Sequence, residues 1–313
     1  MNGIILVNKE SGQSSNKVVN KVKYLLKASK AGHLGTLDVL GEGLLPVTIN
    51  KGTKVFDYFL TKDKEYKTIF QFGITTDTLD LEGEITKKDN NVITLEMLNK
   101  VLPKFIGKQL QMPPVYSAKK IGGKTSYRLA REGKEVSLNP KEIEIYNISC
   151  LRQLGENTFE LIVHCSSGTY IRSLARDIAE VLGTYGVMRY IQRTKCGIFD
   201  IKNAFSLEDI EKGNYKLISL DKFFDNPKLF LNETETNFLL NGMTIPNQPS
   251  GIFKVYSYDN QFLGLGNSND GNLKLTLRLC WNIKNILHKN KNMHWITTID
   301  SQCLQKSSNK NIL

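Results

Sequence analysis

The sequence has no long apolar run and no paired cysteines, and each absence excludes a class of protein. No stretch of its 313 residues approaches the ~20 apolar residues of a membrane-spanning helix. Its five cysteines are scattered and include no C-x-x-C pair, so neither a disulfide framework nor a zinc site is indicated. The N-terminal apolar run, residues 4–7, is too short for a signal peptide. We therefore expect a cytoplasmic protein.

The common signatures of nucleotide, metal and hydrolase sites are missing as well. No G-x-x-x-x-G-K-[ST] loop occurs, which disfavours a bound nucleoside triphosphate. The four histidines never adopt H-E-x-x-H or a similar metal spacing. Residues 165–168 lack the leading glycine of a G-x-S-x-G elbow, which disfavours a serine hydrolase.

The chain does have a large excess of positive charge, a net +11 from 42 Lys and Arg against 31 Asp and Glu. Such an excess attracts polyanions whatever their sequence, so nucleic acid is the leading partner. A lysine-rich proteome would give the same composition, and the two explanations are equally weighted on charge alone. The length exceeds what a single core usually reaches and predicts two domains.

Apolar periodicity and turn residues predict an α+β chain that ends in a smaller β-rich part. A helix is expected after the serine cap at Ser14. The C-terminal part, from about residue 228 to 287, combines one short helix with several short strands. The remaining main elements are strands at 3–7, 66–72 and 158–164 and helices at 94–102, 170–182 and 233–240.

One carboxylate, Asp38, lies in a glycine-lined loop between apolar flanks, within residues 32–46. Glycines allow backbone conformations closed to other residues and let a ligand approach, so an acid there can be both held and reachable. If this loop is considered without the rest of the chain, the more common explanation is a surface turn whose Asp bonds its own backbone.

Two further segments place cations where a polyanion could meet them. Arg172 falls in the first turn of a predicted helix, where the helix dipole disfavours a cation, so a phosphate, a carboxylate or solvent should offset it. Residues 111–136 interleave cations with tyrosines and suit a phosphate backbone with exposed bases, although a solvated loop would look the same. The basic residues taken from this arm are Lys119, Lys120, Lys124, Arg128 and Arg131.

Three ordered segments together resemble the TruB family of tRNA pseudouridine-55 synthases, in its bacterial form. They are Gly32-His33 through Asp38 to Pro46, Lys64-Glu65-Tyr66 through Gly73, and Ser167-Gly168-Thr169-Tyr170-Ile171-Arg172 through Asp177. The resemblance implies a pseudouridine synthase catalytic domain at 1–228, with a mixed, largely antiparallel central sheet flanked by helices. It also implies a PUA-like RNA-binding domain at 229–288, and residues 289–313 are a tail to which no structure is assigned.

The resemblance implies isomerisation of a T-loop uridine by base flipping, with no cofactor and no metal. Asp38 would be the nucleophile, Arg172 its partner, and Tyr66 would stack on the base and is a candidate to take a sugar proton. His33, Tyr170, Ile191 and Arg193, together with the cations of the arm, would contact the tRNA T-arm. The family suggests a monomer that needs no guide RNA, protein partner or membrane.

Several residues depart from the family pattern around Asp38. Leu34 replaces Thr, Val39 replaces Pro, Gly41-Glu42 replaces Ala-Thr, and Glu10 stands where Pro follows the lysine. Val39 lacks the fixed φ of proline and Gly41 adds freedom, so a looser loop and a slower enzyme are expected. Two other functions stay open at this point: a synthase guided by a separate RNA, and a tRNA-binding module that has lost the chemistry.

Overall fold

The computed structural model describes residues 2–55, 62–116, 120–121, 124–125, 138–246 and 248–279, with only the backbone at 120–121 and 124–125. The chain divides into two compact units between Lys222 and Phe223, earlier than the predicted boundary after residue 228. The basic side chains of the arm lie outside the described residues, as does the predicted tail at 289–313. The arm residues concerned are Lys119, Lys120, Lys124, Arg128 and Arg131.

The first unit is a large sheet with helices, as the sequence predicted. Its described strands are β1 (Gly3–Lys9), β2 (Ala31–His33), β3 (Glu42–Ile49), β4 (Lys64–Phe72), β5 (Ile74–Thr76), β6 (Ile85–Lys88), β7 (Gly107–Gln111), β8 (Lys120–Ile121), β9 (Lys124–Thr125), β10 (Lys141–Gly155), β11 (Thr158–Cys165), β12 (Gly186–Cys196) and β13 (Phe199–Asp200). Its described α-helices are α1 (Ser15–Leu25), α2 (Leu95–Val101), α3 (Ile171–Val181) and α4 (Leu207–Glu211). Short 3₁₀ helices cover Asn50–Val55, Leu102–Phe105, Ile201–Asn203 and Leu220–Phe223.

The main sheet has the strand order β1-β3-β12-β4-β11-β10-β7, with β2 paired to β3 and β13 to β12. All of these pairs are antiparallel except β12 with β3, which run parallel. The prediction of a mixed, largely antiparallel central sheet is therefore confirmed. Strand β12 lies beside both β3 and β4, and this arrangement brings the segments of Asp38 and Tyr66 together.

Alternation along β4 explains which side chains reach the core. Tyr66, Thr68, Phe70 and Phe72 are buried, while the odd-numbered residues between them point to the other face. Helix α3 packs on β12 and buries Leu174 and Ile178, the apolar stripe that its sequence predicted. The core of this unit thus lies between the sheet and its helices, next to the residues that the sequence analysis selected.

The second unit is a smaller β-rich structure, and this prediction too is confirmed. Its elements are β14 (Lys228–Phe230), α5 (Glu233–Leu240), β15 (Gly251–Tyr256), β16 (Phe262–Asn269) and β17 (Asn272–Arg278). The four strands follow in chain order across the sheet, with β14 parallel to β15 and the others antiparallel. Asn232 and Glu235 form a reciprocal capping box at the start of α5. Leu239 and Leu240 of this helix are buried with Val255 and Leu263.

In the described part of the chain, no helix combines the length and the apolar character that crossing a membrane requires.

Candidate active site

Asp38 lies in the loop between β2 and β3, with its carboxylate about half exposed. Two hydrogen bonds join the loop to Ser15, the first residue of α1. The Leu37 amide donates to Ser15 Oγ at 2.9 Å, and that hydroxyl donates to the Leu37 carbonyl at 3.0 Å. The Gly41 amide donates to the Asp38 carbonyl at 3.0 Å and closes the turn. The backbone is therefore held while the carboxylate stays reachable.

Arg172 provides the charge that faces Asp38. Its Nε lies 3.1 Å from Asp38 Oδ2, and its Nη1 lies 3.3 Å from Asp80 Oδ2. The guanidinium also donates to the backbone carbonyls of Thr78 at 2.9 Å and Tyr116 at 3.0 Å. The predicted pairing of Arg172 with Asp38 is confirmed. The two carboxylates compensate a buried cation in the first turn of α3, where the helix dipole alone would disfavour it.

Asp80 is the residue that the sequence analysis missed at this site. Its carboxylate is buried, and Oδ1 accepts hydrogen bonds from the Thr78 hydroxyl at 2.6 Å and the Glu82 amide at 3.0 Å. Oδ2 is therefore left to face Arg172. In the sequence, Asp80 belongs to a turn-rich segment in which an aspartate that bonds its own backbone is the ordinary expectation. Only its burial beside a cation from a distant helix distinguishes it.

Arg193, on β12, donates hydrogen bonds to backbone carbonyls before and after Asp38. Only 1% of the residue is exposed. Nε donates to the Leu44 carbonyl at 2.7 Å and Nη2 donates to the Gly35 carbonyl at 3.1 Å. The predicted contact of Arg193 with the substrate stays a prediction, since these bonds by themselves support a role in holding the loop.

Lys9 forms hydrogen bonds with the part of the loop that follows Asp38. Its buried ammonium group donates to the carbonyls of Glu10 at 2.9 Å, Val39 at 3.1 Å and Gly41. Burial lowers the pKa of Lys9 to about 8, and the Asp38 carboxylate partly opposes that shift. The ammonium group of Lys9 thus binds the carbonyls of both Val39 and Gly41. These are the positions at which the family pattern led us to expect a looser loop. The expected slower rate stays a prediction.

A cavity of about 520 Å³ opens beside Asp38. Tyr66, Tyr170 and Ile191 line it, as the resemblance implied for a base pocket. Tyr66 is buried, and this burial raises the pKa of its phenol, although the charge of Arg193 acts in the opposite direction. The hydroxyl is therefore protonated at neutral pH. The remaining lining residues are Gly35, Thr36, Leu37, Lys64, Lys141, Ser167, Gly168, Thr169, Ile171, Arg172, Met188 and Arg193.

His33 lies on a second cavity, of about 440 Å³, which shares Asp38 and Arg172 with the first. Its Nδ1 is buried and has no hydrogen-bond partner among the described residues. Burial lowers the pKa of His33, and the charge of Arg193 lowers it further, so the ring is neutral at neutral pH. A neutral ring at this position can pack against a ligand without adding charge.

Two lysines of the first cavity, Lys64 and Lys141, were not among the predicted site residues. Lys64 is buried and donates to the Lys62 carbonyl, and burial lowers its pKa. Lys141 is exposed and donates to the Ser167 carbonyl at 3.4 Å. Both lie on strands that the sequence alone does not orient toward Asp38. Across the described residues, no cluster of three or more His, Cys, Asp or Glu side chains is placed to hold a metal ion.

Comparison with known proteins points to one family. Residues 23–171 match the model of the TruB family pseudouridylate synthase N-terminal domain. Residues 172–223 match the tRNA pseudouridylate synthase B C-terminal domain, and residues 227–275 match the model described as pseudouridine synthase II TruB, C-terminal.

Individual relatives agree with these matches. The chain is 40% identical over 283 residues to tRNA pseudouridine synthase B of Francisella philomiragia, covering 87% of this chain and 93% of that protein. It is 37% identical over 270 residues to the protein of the same name from Caldanaerobacter subterraneus, covering 85% and 95%. A solved H/ACA RNP bound to a substrate RNA containing 2'-deoxyuridine aligns over 90% of this chain and 86% of that one, with a TM-score of 0.63. At 19% identity that likeness concerns the fold alone.

Proposed function

Because this chain belongs to the TruB family of pseudouridylate synthases, we propose that it converts uridine 55 in the T-loop of tRNA to pseudouridine. We further propose that it acts without a guide RNA or protein partner. The observation that carries the proposal is the Asp38 carboxylate, 3.1 Å from Arg172, on the wall of a cavity that Tyr66 also lines.

The proposed reaction is an isomerisation. The bond from ribose C1′ to uracil N1 breaks, the base turns, and C1′ is joined to C5 instead; C5 then loses its proton and N1 gains one, so the atoms balance. No group is lost and no electrons are gained or lost overall, so the reaction needs no cofactor. What the protein must supply is a fixed negative charge at the sugar or the base and a pocket that keeps the detached uracil in place.

Asp38 is suited to supply that charge. Its Oδ2 faces the guanidinium of Arg172, while Oδ1 accepts no hydrogen bond from the described residues and can meet the substrate. Attack on the nucleotide and stabilisation of positive charge at C1′ both require the negative charge of this carboxylate, which lies 3.1 Å from the guanidinium. Arg172 is itself held by Asp80 and two backbone carbonyls, so the positive charge that faces Asp38 has a fixed position.

The uridine must leave its stack in the RNA before Asp38 can reach it. Such extrusion costs a few kcal/mol, which contacts to the flipped base have to offset. Tyr66 and Tyr170 supply aromatic rings in the cavity, and stacking of a base on such a ring is worth about 1–3 kcal/mol. Ile191 adds an apolar surface, and His33 is placed to pack against the RNA loop from the second cavity.

The proposal is tested with the purified protein and an unmodified T-arm transcript. Carbodiimide-dependent stops of reverse transcription should appear at the T-loop uridine. Asp38→Asn should abolish these stops and leave RNA affinity within about three-fold of wild type, since the change removes a charge without changing the shape of the side chain. Turnover near wild type in Asp38→Asn would refute the role given to this carboxylate.

The same assay separates the two other functions. A guided synthase would give no stops on bare tRNA and would need added RNA and proteins. An RNA-binding module without chemistry would bind the transcript and leave the uridine unchanged. Stops on bare tRNA with no other component present exclude both.

A further inference from the structure

A buried glutamine, Gln111, binds both backbone polar groups of Tyr170. The Tyr170 amide donates to Gln111 Oε1 at 2.8 Å, and Gln111 Nε2 donates to the Tyr170 carbonyl at 3.2 Å. Gln111 is the last residue of β7, and only 2% of it is exposed. The two residues are 59 positions apart in the chain, so the tertiary structure alone brings them together.

The amide of Gln111 fits this place in one orientation. Its oxygen must face the Tyr170 N–H and its NH₂ group the Tyr170 carbonyl, because the reversed amide would set donor against donor and acceptor against acceptor. Asp177 of α3 agrees with this orientation. Burial raises the pKa of Asp177, and hydrogen bonds with Arg176 and Gln111 act in the opposite direction, which requires the NH₂ group of Gln111 to donate. An apolar or acceptor-only side chain could not form both bonds with Tyr170.

The two bonds fix the backbone of Tyr170 and with it the direction of the ring. Tyr170 lies directly before α3 in an extended conformation, with φ −98° and ψ 108°. In an extended residue the N–H and the C=O point to the same side, where one primary amide can reach both. The φ and ψ angles determine the direction in which the side chain leaves the backbone. Gln111 therefore keeps the Tyr170 ring at the wall of the 520 Å³ cavity.

The start of α3 has its own hydrogen bonds and does not depend on Gln111. The Tyr170 carbonyl accepts the Leu174 amide at 3.0 Å, as the helix requires, so Gln111 uses the second lone pair of a carbonyl that is already paired. A separate bond joins α3 to the residue after β7: the buried Ser173 hydroxyl donates to the Met112 carbonyl at 2.9 Å. The contribution of Gln111 is thus specific to Tyr170.

We propose that Gln111 is a positioning residue of the reaction, which holds the Tyr170 ring where it meets the uracil once the base has left the RNA stack. The inference rests on the proposed function, in which Tyr170 supplies one of the aromatic rings of the base pocket. Gln111 lines neither of the two cavities, so it acts through Tyr170. A ring that is already in place binds a base better than a mobile one, because ordering the ring on contact costs conformational entropy.

The first test is the single-turnover rate on T-arm RNA with enzyme in excess. Gln111→Met keeps the length of the side chain and removes both hydrogen bonds with Tyr170. The rate at saturating enzyme should fall about five-fold or more, which is the smaller end of what a base–aromatic stack contributes. The Kd for the RNA should stay within about two-fold of wild type, because the base enters the cavity only after the RNA has bound.

Ser173→Ala is the matched control. It removes a buried hydrogen bond between the same helix and the residue that follows Gln111, and it leaves both bonds of Tyr170 in place. Its rate and its Kd should both stay within about two-fold of wild type. If Gln111→Met melts far below wild type, Gln111→Asn takes its place, since it keeps the amide but is too short to reach both groups of Tyr170.

A double-mutant cycle shows whether Gln111 acts through the Tyr170 ring. Tyr170→Ala removes the ring and keeps the backbone amide and carbonyl that Gln111 binds. In that background the Gln111 substitution should slow the reaction less than about two-fold further, because the group that Gln111 positions is gone. A purely structural role would give the same loss in both backgrounds, and that result would overturn the inference.

A third measurement does not depend on chemistry. A T-arm RNA with a fluorescent pyrimidine in place of the T-loop uridine reports how far this base leaves its stack when the protein binds. Gln111→Met should decrease the signal at saturating protein, and Ser173→Ala should not. If wild type forms no pseudouridine but the signal decreases as expected, the proposed function fails and this inference stands. If wild type forms pseudouridine and Gln111→Met equals it in rate and signal, only this inference fails.

Discussion

Replacing Asp80 by asparagine tests whether a second carboxylate positions Arg172. The asparagine oxygen can still accept the hydrogen bonds of the Thr78 hydroxyl and the Glu82 amide. Its NH₂ group, however, would then face the guanidinium across 3.3 Å in place of a carboxylate oxygen. The change therefore removes one of the two negative charges that balance a buried cation and alters the shape of the site very little.

The size of the effect follows from the contacts that remain. Breaking a buried ion pair costs about 3–5 kcal/mol when nothing compensates the remaining charge. Arg172 keeps Asp38 and two backbone carbonyls, so we expect about 1.5–3 kcal/mol. If that loss falls on the transition state, kcat decreases about 10- to 150-fold, because each 1.36 kcal/mol is a factor of ten.

The assay is the single-turnover rate on T-arm RNA with enzyme in excess, measured together with RNA affinity and thermal melting. Asp77→Asn is the control: Asp77 lies in the same turn, is exposed, and among the described residues its side chain accepts only the Glu84 amide, at 3.0 Å. A rate in Asp80→Asn equal to wild type would refute the positioning role. An equal loss of rate in both variants would show that the turn, and not the charge on Arg172, matters.

Three further changes probe the loop and the base pocket. Burial lowers the pKa of Lys9 from 10.5 in the unfolded chain to about 8 in the folded chain. Between these two pH values the unfolded chain binds more protons at Lys9 than the folded chain does. The contribution of Lys9 to the free energy of unfolding therefore rises with pH. The unfolding free energy of wild type minus that of Lys9→Met should therefore increase from pH 7 to 10 in denaturant titrations, and a flat or falling difference would contradict this. Gly43 has φ +94°, and an added Cβ would lie 2.5 Å from the Arg193 carbonyl, so Gly43→Ala should cost more than about 2 kcal/mol. The control Gly12→Ala, with φ +82° and open space around it, should cost about 1 kcal/mol, and equal melting temperatures of the two variants would disprove the clash. Tyr66→Phe keeps the ring that is expected to stack on the base, so it should retain more single-turnover activity than Tyr66→Leu; the reverse order would count against stacking.

Elements with a local signal were predictable from the sequence. Ser14 accepts the Lys17 amide at the start of α1, and Asn232 begins α5 where the pattern indicated a helix. Aromatic and β-branched residues predicted β4, alternation predicted β11, and period 3.6 predicted α3. In these segments the caps, turns and buried faces lie within a few residues of one another, so neighbouring positions carry the information.

Strands rich in polar and charged residues were not predictable in this way. No strand was assigned to β12, whose sequence contains Arg189 and Arg193, nor to the largely polar β10. Arg193 is buried because carbonyls of the Asp38 loop, about 150 positions earlier, accept its hydrogen bonds. A charged side chain whose partners come from a distant segment looks in the sequence like a residue at the surface.

The sequence by itself determined which groups are available for the proposed chemistry: Asp38 in its glycine-lined loop, Tyr66 on a strand, and Arg172 in the first turn of a helix. The tertiary structure alone decided that Asp80 completes the charge balance of Arg172, and that Lys9 and Arg193 hold the loop on either side. The physical reason is that a buried charge is stable only beside its compensating partners. Strand order and register, which no local pattern encodes, bring those partners together.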